Sequence, residues 1–155
     1  MKRLPLLFLV VGALGCVTTP LLVGPIKDTE TFAAPMDRVW STALAASQDM
    51  GLRVQTSDRA GGLLSFADYD LGRYGGTFKN IPTALGKVAV KPPSLLGVWD
   101  AGWASPSVII SAVGDKTEVR FHAGIKGKDA GGIDHEMPSR GVIEEEFFSK
   151  MRSRL

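Results

Sequence analysis

The chain of 155 residues has one cysteine, two histidines and no run of lysine or arginine. A single cysteine excludes an intrachain disulfide, and two histidines leave few ligands for a metal site. Without a basic run, the chain also lacks the electrostatic signature of a nucleic-acid-binding protein. Hydrophobic residues form 45% of the chain and charged residues only 22%, so we expect one folded domain rather than disorder.

The N-terminus combines a positive charge with an apolar run. Residues 1–3 include a lysine and an arginine, and residues 4–14 are uncharged and mostly apolar. This order is typical of a signal peptide, whose charged end stays in the cytoplasm while the chain behind it is exported. We therefore assign residues 1–15 to a signal peptide. Its removal leaves sixteen basic and sixteen acidic residues, a neutral mature chain.

The cysteine follows this segment directly. The run Ala13-Leu14-Gly15-Cys16 resembles the lipobox of bacterial lipoproteins. The resemblance implies that Cys16 becomes the first mature residue, that its thiol carries a diacylglycerol, and that the new amino terminus receives a further fatty acid such as palmitate. Several acyl chains give a stable anchor, so the first partner we expect is the lipid bilayer.

The residues after the cysteine indicate location. Val17 stands where an aspartate would favour the inner membrane, so in a host with two membranes the lipobox resemblance implies a lipid-anchored protein of the cell outer membrane that faces the periplasm. We assign residues 16–28 to the acylated N-terminus and a tether, which is short enough to hold the domain close to the membrane.

Two other interpretations of the N-terminus stay open. Lipoproteins favour leucine at the position of Ala13, whereas Ala13 and Gly15 also satisfy an ordinary signal peptidase site that would release a soluble protein. Residues 4–24 carry no charge and are long enough to span a bilayer uncleaved, although Pro5 and Pro20 argue against it. All three interpretations place the domain on the same side of the membrane.

Two segments have the periodicity of amphipathic helices. Residues 36–50 repeat apolar side chains at helical spacing and are followed by Gly51, a typical residue after a helix end. Residues 139–154 place Ile143, Phe147 and Met151 four residues apart. Glutamates lie early in this second segment and basic residues late, an order that suits the helix dipole.

Residues 29–34 form a brief strand-like run. Four further segments have the character of strands: residues 52–56, 63–67, 107–113 and 117–123. They form two hairpins joined by glycine-containing turns. We predict for residues 29–155 a single α+β domain, in which an antiparallel sheet of about four to five strands carries both helices on one face. Residues 124–134, rich in glycine, lysine and aspartate, are predicted to form a loop.

Residues 68–104 interrupt this pattern as a glycine- and aromatic-rich insertion. Long irregular insertions are commonly functional, and aromatic side chains are favoured at partner and membrane surfaces. We therefore predict partner or ligand contacts at five aromatic residues: Tyr69, Tyr74, Phe78, Trp99 and Trp103. For the two tryptophans, burial against a sheet edge is the equally weighted alternative.

The order of these elements resembles the domains of BamC-like envelope lipoproteins, which are accessory to the assembly of outer-membrane barrels. The resemblance covers residues 30–67 and 105–155, and the insertion at about 68–104 departs from it. It implies a structural or protein-binding module that contacts envelope proteins, in outer-membrane assembly or maintenance. The alternative is a periplasmic carrier of a lipid, glycan or small hydrophobic ligand.

Candidates for chemistry are sparse, and we expect neither an enzyme nor a metal or cofactor site. With Cys16 acylated, no thiol is left as a nucleophile. His122 falls on the polar face of a predicted strand. The run Asp134-His135-Glu136 cannot converge on one ion, because neighbouring side chains of a strand point to opposite faces. An enzyme would have to bring this run into one cleft with Asp68 and Asp70.

Overall fold

The computed structural model describes residues 25–76, 79–92 and 98–155. The predicted signal peptide, Cys16 and Phe78 lie outside the described residues. The strands of the described part are β1 (Thr29–Phe32), β2 (Val54–Asp58), β3 (Leu63–Phe66), β4 (Tyr69–Asp70), β5 (Trp99–Ala104), β6 (Ser107–Val113), β7 (Lys116–His122), β8 (Ile125–Asp129) and β9 (Asp134–Met137). The helices are α1 (Met36–Asp49), α2 (Ile81–Val88) and α3 (Val142–Arg152), with a 3₁₀ turn at Leu71–Gly75.

The strands form two antiparallel sheets. The first has five strands in the order β1-β7-β6-β3-β2, and the second has four in the order β4-β5-β8-β9. The two sheets are joined by one bent pair of antiparallel segments. In one segment β5 continues into β6, and in the other β7 continues into β8. The bend lies where the amide of Ser105 donates to the carbonyl of Gly124, whose φ is 56°.

The helices cover the inner faces of the sheets. Helices α1 and α3 contact each other and pack on β7 of the first sheet, and α2 packs on β5 of the second. One continuous cluster of buried side chains joins the two layers, with Phe121, Phe147 and Phe148 among its largest members. Among the described residues, no helix is long and apolar enough to cross a bilayer.

The predicted α+β class is confirmed, and so are the antiparallel sheet and the two amphipathic helices. The strand predicted at residues 52–56 begins later in the structure, because the amide of Leu52 donates to the carbonyl of Ser47 at the end of α1, and β2 begins only at Val54. The last helix begins at Val142 rather than at residue 139, since Ser139 pairs with Ala89 as a β-bridge.

The second sheet was not predicted. The whole of β8 and the connection to β9 lie within residues 124–134, which the sequence indicated as a loop. The described parts of the insertion at 68–104 supply β4, β5 and α2. This segment is therefore one layer of the domain rather than an irregular excursion from it.

Candidate functional site

Two of the predicted contact residues, Tyr69 and Tyr74, surround the side chain of Arg73. The guanidinium carbon of Arg73 lies 5.4 Å from the ring centroid of each tyrosine. The two rings meet edge to face, with centroids 6.5 Å apart. This is the geometry of cation–π contacts. Tyr69 ends up beside Arg73 and Tyr74 because the 3₁₀ turn that holds these two follows β4 directly. Asp70 caps the start of the turn by accepting from the amide of Gly72 at 2.8 Å.

Glu146 of α3 completes this group, which we call the tyrosine clamp (Tyr69, Arg73, Tyr74 and Glu146). Arg73 donates to one carboxylate oxygen of Glu146 at 3.1 Å, and the hydroxyl of Tyr74 donates to the other at 2.8 Å. Arg73 also donates to the carbonyl of Met50 at 2.8 Å and to the Tyr69 hydroxyl. The clamp thus ties the insertion to the C-terminal end of α1 and to the middle of α3.

The tyrosine hydroxyls of the clamp are not activated for chemistry. Burial raises the pKa of the Tyr74 hydroxyl far above its ordinary value, and the hydrogen bond to Glu146 raises it further. Burial also raises the pKa of Tyr69, against the opposing charge of Arg73. Both phenols therefore stay protonated at neutral pH, and the polar groups of the clamp hydrogen-bond to one another and to the Met50 carbonyl. Its geometry supports a structural role.

Loss of the clamp carboxylate has a predictable cost. Glu146→Ala removes a shared acceptor whose side chain is only 24% exposed, and we expect a loss of roughly 1–3 kcal/mol of unfolding free energy. The neighbouring Glu145 is 60% exposed and pairs with Arg152 at the surface, so Glu145→Ala should cost at most about 0.5 kcal/mol. Urea unfolding followed by circular dichroism measures both. Equal losses would contradict the clamp.

An open groove of about 640 Å³ lies beside the clamp, along β4 and β5. We call it the Trp103 groove; it is lined by Asp68, Asp70, Lys79, Ile81, Asp100, Ala101, Gly102 and Trp103. Trp103 pairs across the strands with Asp70 and is partly exposed. Three carboxylates face one ammonium group, so the groove has an excess of negative charge. Asp68 accepts from the Ser105 hydroxyl at 2.7 Å, which fixes one wall.

Trp99 lies on the opposite face of β5 from Trp103. It is 4% exposed and belongs to the core, which matches the alternative of a tryptophan buried against the sheet. Its ring meets the ring of His135 edge to face at 5.3 Å. His135 in turn pairs with Asp129 at 2.9 Å, and this hydrogen bond is the main cause of the lowered pKa of Asp129. Trp103 is thus the tryptophan that a partner can reach.

The acidic residues singled out in the sequence do not meet in one place. Asp134 and Glu136 pair with Lys128 and Lys126 of β8, at 2.9 Å and 3.3 Å, on the outer face of the second sheet. Asp68 and the edge strand β4 lie at the other side of this sheet, three strand spacings or roughly 14 Å away. In the described part of the chain, no three potential ligands are placed to hold a metal ion.

Some residues of this region were missed at the sequence level. Arg73 and Glu146 are 73 positions apart, and nothing in their local sequence links them. Asp100 and Lys79 also escaped notice, because each is an ordinary surface residue until the fold brings them to the groove. The aromatic content of residues 68–104 was the feature of the sequence that indicated this region. It identified aromatic residues of the clamp and the groove, but not the charged residues beside them.

Comparison with known proteins adds little to this geometry. No family model matches the chain, and no curated protein matches it. Among solved structures, the chain is similar to a crystal structure of a DUF4468 family protein from Bacteroides ovatus, with a TM-score of 0.38 and 11% identity. The match covers 70% of this chain and 58% of that one, so this chain spans less than two thirds of the similar structure.

Proposed function

We propose that this protein is a membrane-anchored envelope lipoprotein whose domain acts as a structural or protein-binding module. The observation that carries the proposal is the order of the first sixteen residues: a positive start, an uncharged apolar run, two small residues around Leu14, and the single cysteine of the chain. A lone cysteine is unusual in an exported protein, and acylation of Cys16 accounts for it.

The distance from the cysteine to the domain supports a role at the membrane surface. The described structure begins at Pro25, nine positions after Cys16, and nine extended residues reach at most about 30 Å. A domain attached in this way remains within one domain diameter of the bilayer. Its partners are then other envelope proteins or the membrane itself, and outer-membrane assembly or maintenance is the process we favour.

The Trp103 groove is the feature that favours a protein partner. A partly exposed tryptophan flanked by Asp70 and Asp100 offers a large apolar contact with polar groups around it. Tryptophan is enriched among the residues that dominate binding energies at protein interfaces. The acidic excess favours a partner segment that is basic.

The carrier alternative finds less support in the same groove. Carriers of lipids or small hydrophobic ligands enclose most of the ligand in a largely apolar pocket. The Trp103 groove is open, and four of its eight lining residues are charged. A second cleft of about 370 Å³ is also open, and it too has charged and polar residues such as Lys126, Glu136 and Ser139 in its lining. These shapes suit a docking surface better than a carrier site.

Intact mass spectrometry of the membrane-extracted protein tests the proposal. We expect a chain that begins at Cys16 and carries acyl mass, and we expect Cys16→Ala to lose this mass and the membrane association together. Native mass spectrometry of the same sample separates module from carrier, since a carrier would retain a non-covalent ligand. A soluble, unmodified wild-type chain would overturn the lipoprotein proposal.

A further inference from the structure

The point at which the tether joins the domain identifies the face nearest the membrane. The methyl carbon Cγ2 of Ile26 lies 3.3 Å from the position that a Cβ on Gly141 would occupy. Gly141 is the residue that precedes α3. Ile26, which follows the first described residue, therefore lies beside the start of α3. If Cys16 is anchored as proposed above, the surface around Gly141 faces the bilayer.

Three cationic side chains lie on or beside α2, whose C-terminal end neighbours this point. The amide of Arg140 donates to Val88 at 2.8 Å, and the amide of Val90 donates to Pro138 at 2.9 Å, so the chain after α2 runs antiparallel to residues 138–140. Lys87, the last basic residue of α2, directly precedes Val88 and so lies near Arg140. The tether exit and the C-terminal end of α2 are thus neighbours.

Two of the three basic groups are held in place by backbone carbonyls. Nε of Arg140 donates to the carbonyl of Ala89 at 2.9 Å. The ammonium of Lys91 donates to the carbonyl of Pro82 at 3.1 Å and so folds back over α2. Lys87, Lys91 and Arg140 are all exposed, and we call them the basic rim.

The charge of the basic rim is not neutralised within the described part of the chain. None of its three members forms an ion pair there. Two carboxylates lie four positions from Arg140 along the chain. Glu144 is buried and accepts from the Ser139 hydroxyl at 2.8 Å, and Glu136 pairs with Lys126 at 3.3 Å. The negative end of α2 amounts to about half an elementary charge, so most of the positive charge of the rim remains available to an external anion.

We infer that the basic rim is the membrane-facing surface of the domain and binds the anionic headgroups of lipids. This inference rests on the proposed lipid anchor for its orientation. The occupant is a lipid surface because the tether brings that surface to this face, and because Lys and Arg donors match phosphate oxygens. Headgroup contacts at the rim would hold the domain in one orientation and leave the Trp103 groove, on the other sheet edge, open to a protein partner.

Vesicle binding of the unacylated chain tests the rim without the anchor. A chain of residues 16–155 with Cys16→Ser retains every described element, and its partition is measured onto vesicles of phosphatidylglycerol in phosphatidylcholine and of phosphatidylcholine alone. We expect binding to the anionic vesicles only, and its loss at high ionic strength. Because each basic residue close to an anionic surface contributes about fivefold, Lys87→Glu with Lys91→Glu should weaken binding at least ~30-fold.

The matched control changes the same net charge elsewhere. Arg53→Glu with Lys116→Glu alters two exposed residues, one directly before β2 and one at the start of β7, and this pair should bind anionic vesicles about as well as the parent chain. Equal weakening by both pairs, or equal binding to both kinds of vesicle, would overturn the inference. Failure of the proposed anchor is a separate result, since a missing acyl mass leaves this measurement unaffected. Circular dichroism verifies that both double variants are folded.

Discussion

Replacement of Phe147 by alanine is expected to lower the unfolding free energy by about 3–5 kcal/mol, the usual cost of removing a buried aromatic side chain. Phe147 is fully buried at the centre of the core. Its ring stacks on Phe121 of β7 with centroids 4.4 Å apart, and it meets Phe148 edge to face at 5.5 Å. Alanine at this position leaves a cavity between α3 and the first sheet, and the rings on either side lose their partner.

Urea unfolding of the unacylated chain measures this effect, with the slope of the transition as a check that unfolding stays two-state. Val142→Ala is the control on the same helix, because Val142 is 40% exposed and its truncation should change stability by no more than ~0.5 kcal/mol. Should Phe147→Ala fail to fold, Phe147→Leu retains part of the volume and should cost less. A loss below about 1.5 kcal/mol for the alanine variant would mean that the contact between α3 and β7 contributes little.

Phe147 also illustrates what the sequence could reveal. It was placed on the buried face of the last helix because Ile143, Phe147 and Met151 recur at the helical period. The same reasoning located α1, alternation located β7, and β-branched and apolar content located β6. These elements are amphipathic, with one face in the core and one in water. The sequence pattern of each of these elements therefore shows which of its faces is buried, independently of the rest of the chain.

The second sheet escaped prediction because its strands contain glycines where a buried side chain was expected. A Cβ at Gly127 of β8 would lie 2.6 Å from Met137 and 3.0 Å from Trp99, and one at Gly102 of β5 would lie 3.0 Å from Leu85. These glycines leave room for larger side chains that approach from α2 and from neighbouring strands. Along the sequence they look like breaks, and only the tertiary contacts identify them as strand positions.

The candidate site was predictable in part for the same reason. Aromatic residues at 69, 74 and 103 attracted attention by composition, and the structure places them at the clamp and the groove. The charged partners Arg73 and Glu146 meet only because α3 packs beside the 3₁₀ turn. Contacts between residues far apart in the chain leave no local pattern, so a single sequence does not reveal them.

Replacement of Gly62 by alanine is expected to be the second most damaging single change, with a loss of about 2–5 kcal/mol. Gly62 lies in the turn between β2 and β3 with φ of 68°, a left-handed conformation that costs a residue with a Cβ roughly 1–2 kcal/mol. Its Cβ would overlap the carbonyl oxygen of Ile110 on β6. Its own carbonyl also accepts from the amide of Ile110 at 2.8 Å, so the strands cannot separate without losing that hydrogen bond.

Gly114 provides the control that separates the two causes. It lies in the β6–β7 turn with φ of 63°, but a Cβ there would meet no atom within 4 Å. Gly114→Ala therefore carries the conformational cost of about 1–2 kcal/mol alone, and any gain from a less flexible unfolded chain is common to both variants. The excess loss in Gly62→Ala, about 1–3 kcal/mol for overpacking, measures how closely this turn packs against β6. Equal losses in the two variants would show that the turn can shift away from Ile110, and the edge hairpin β2–β3 would then be a loosely attached part of the first sheet.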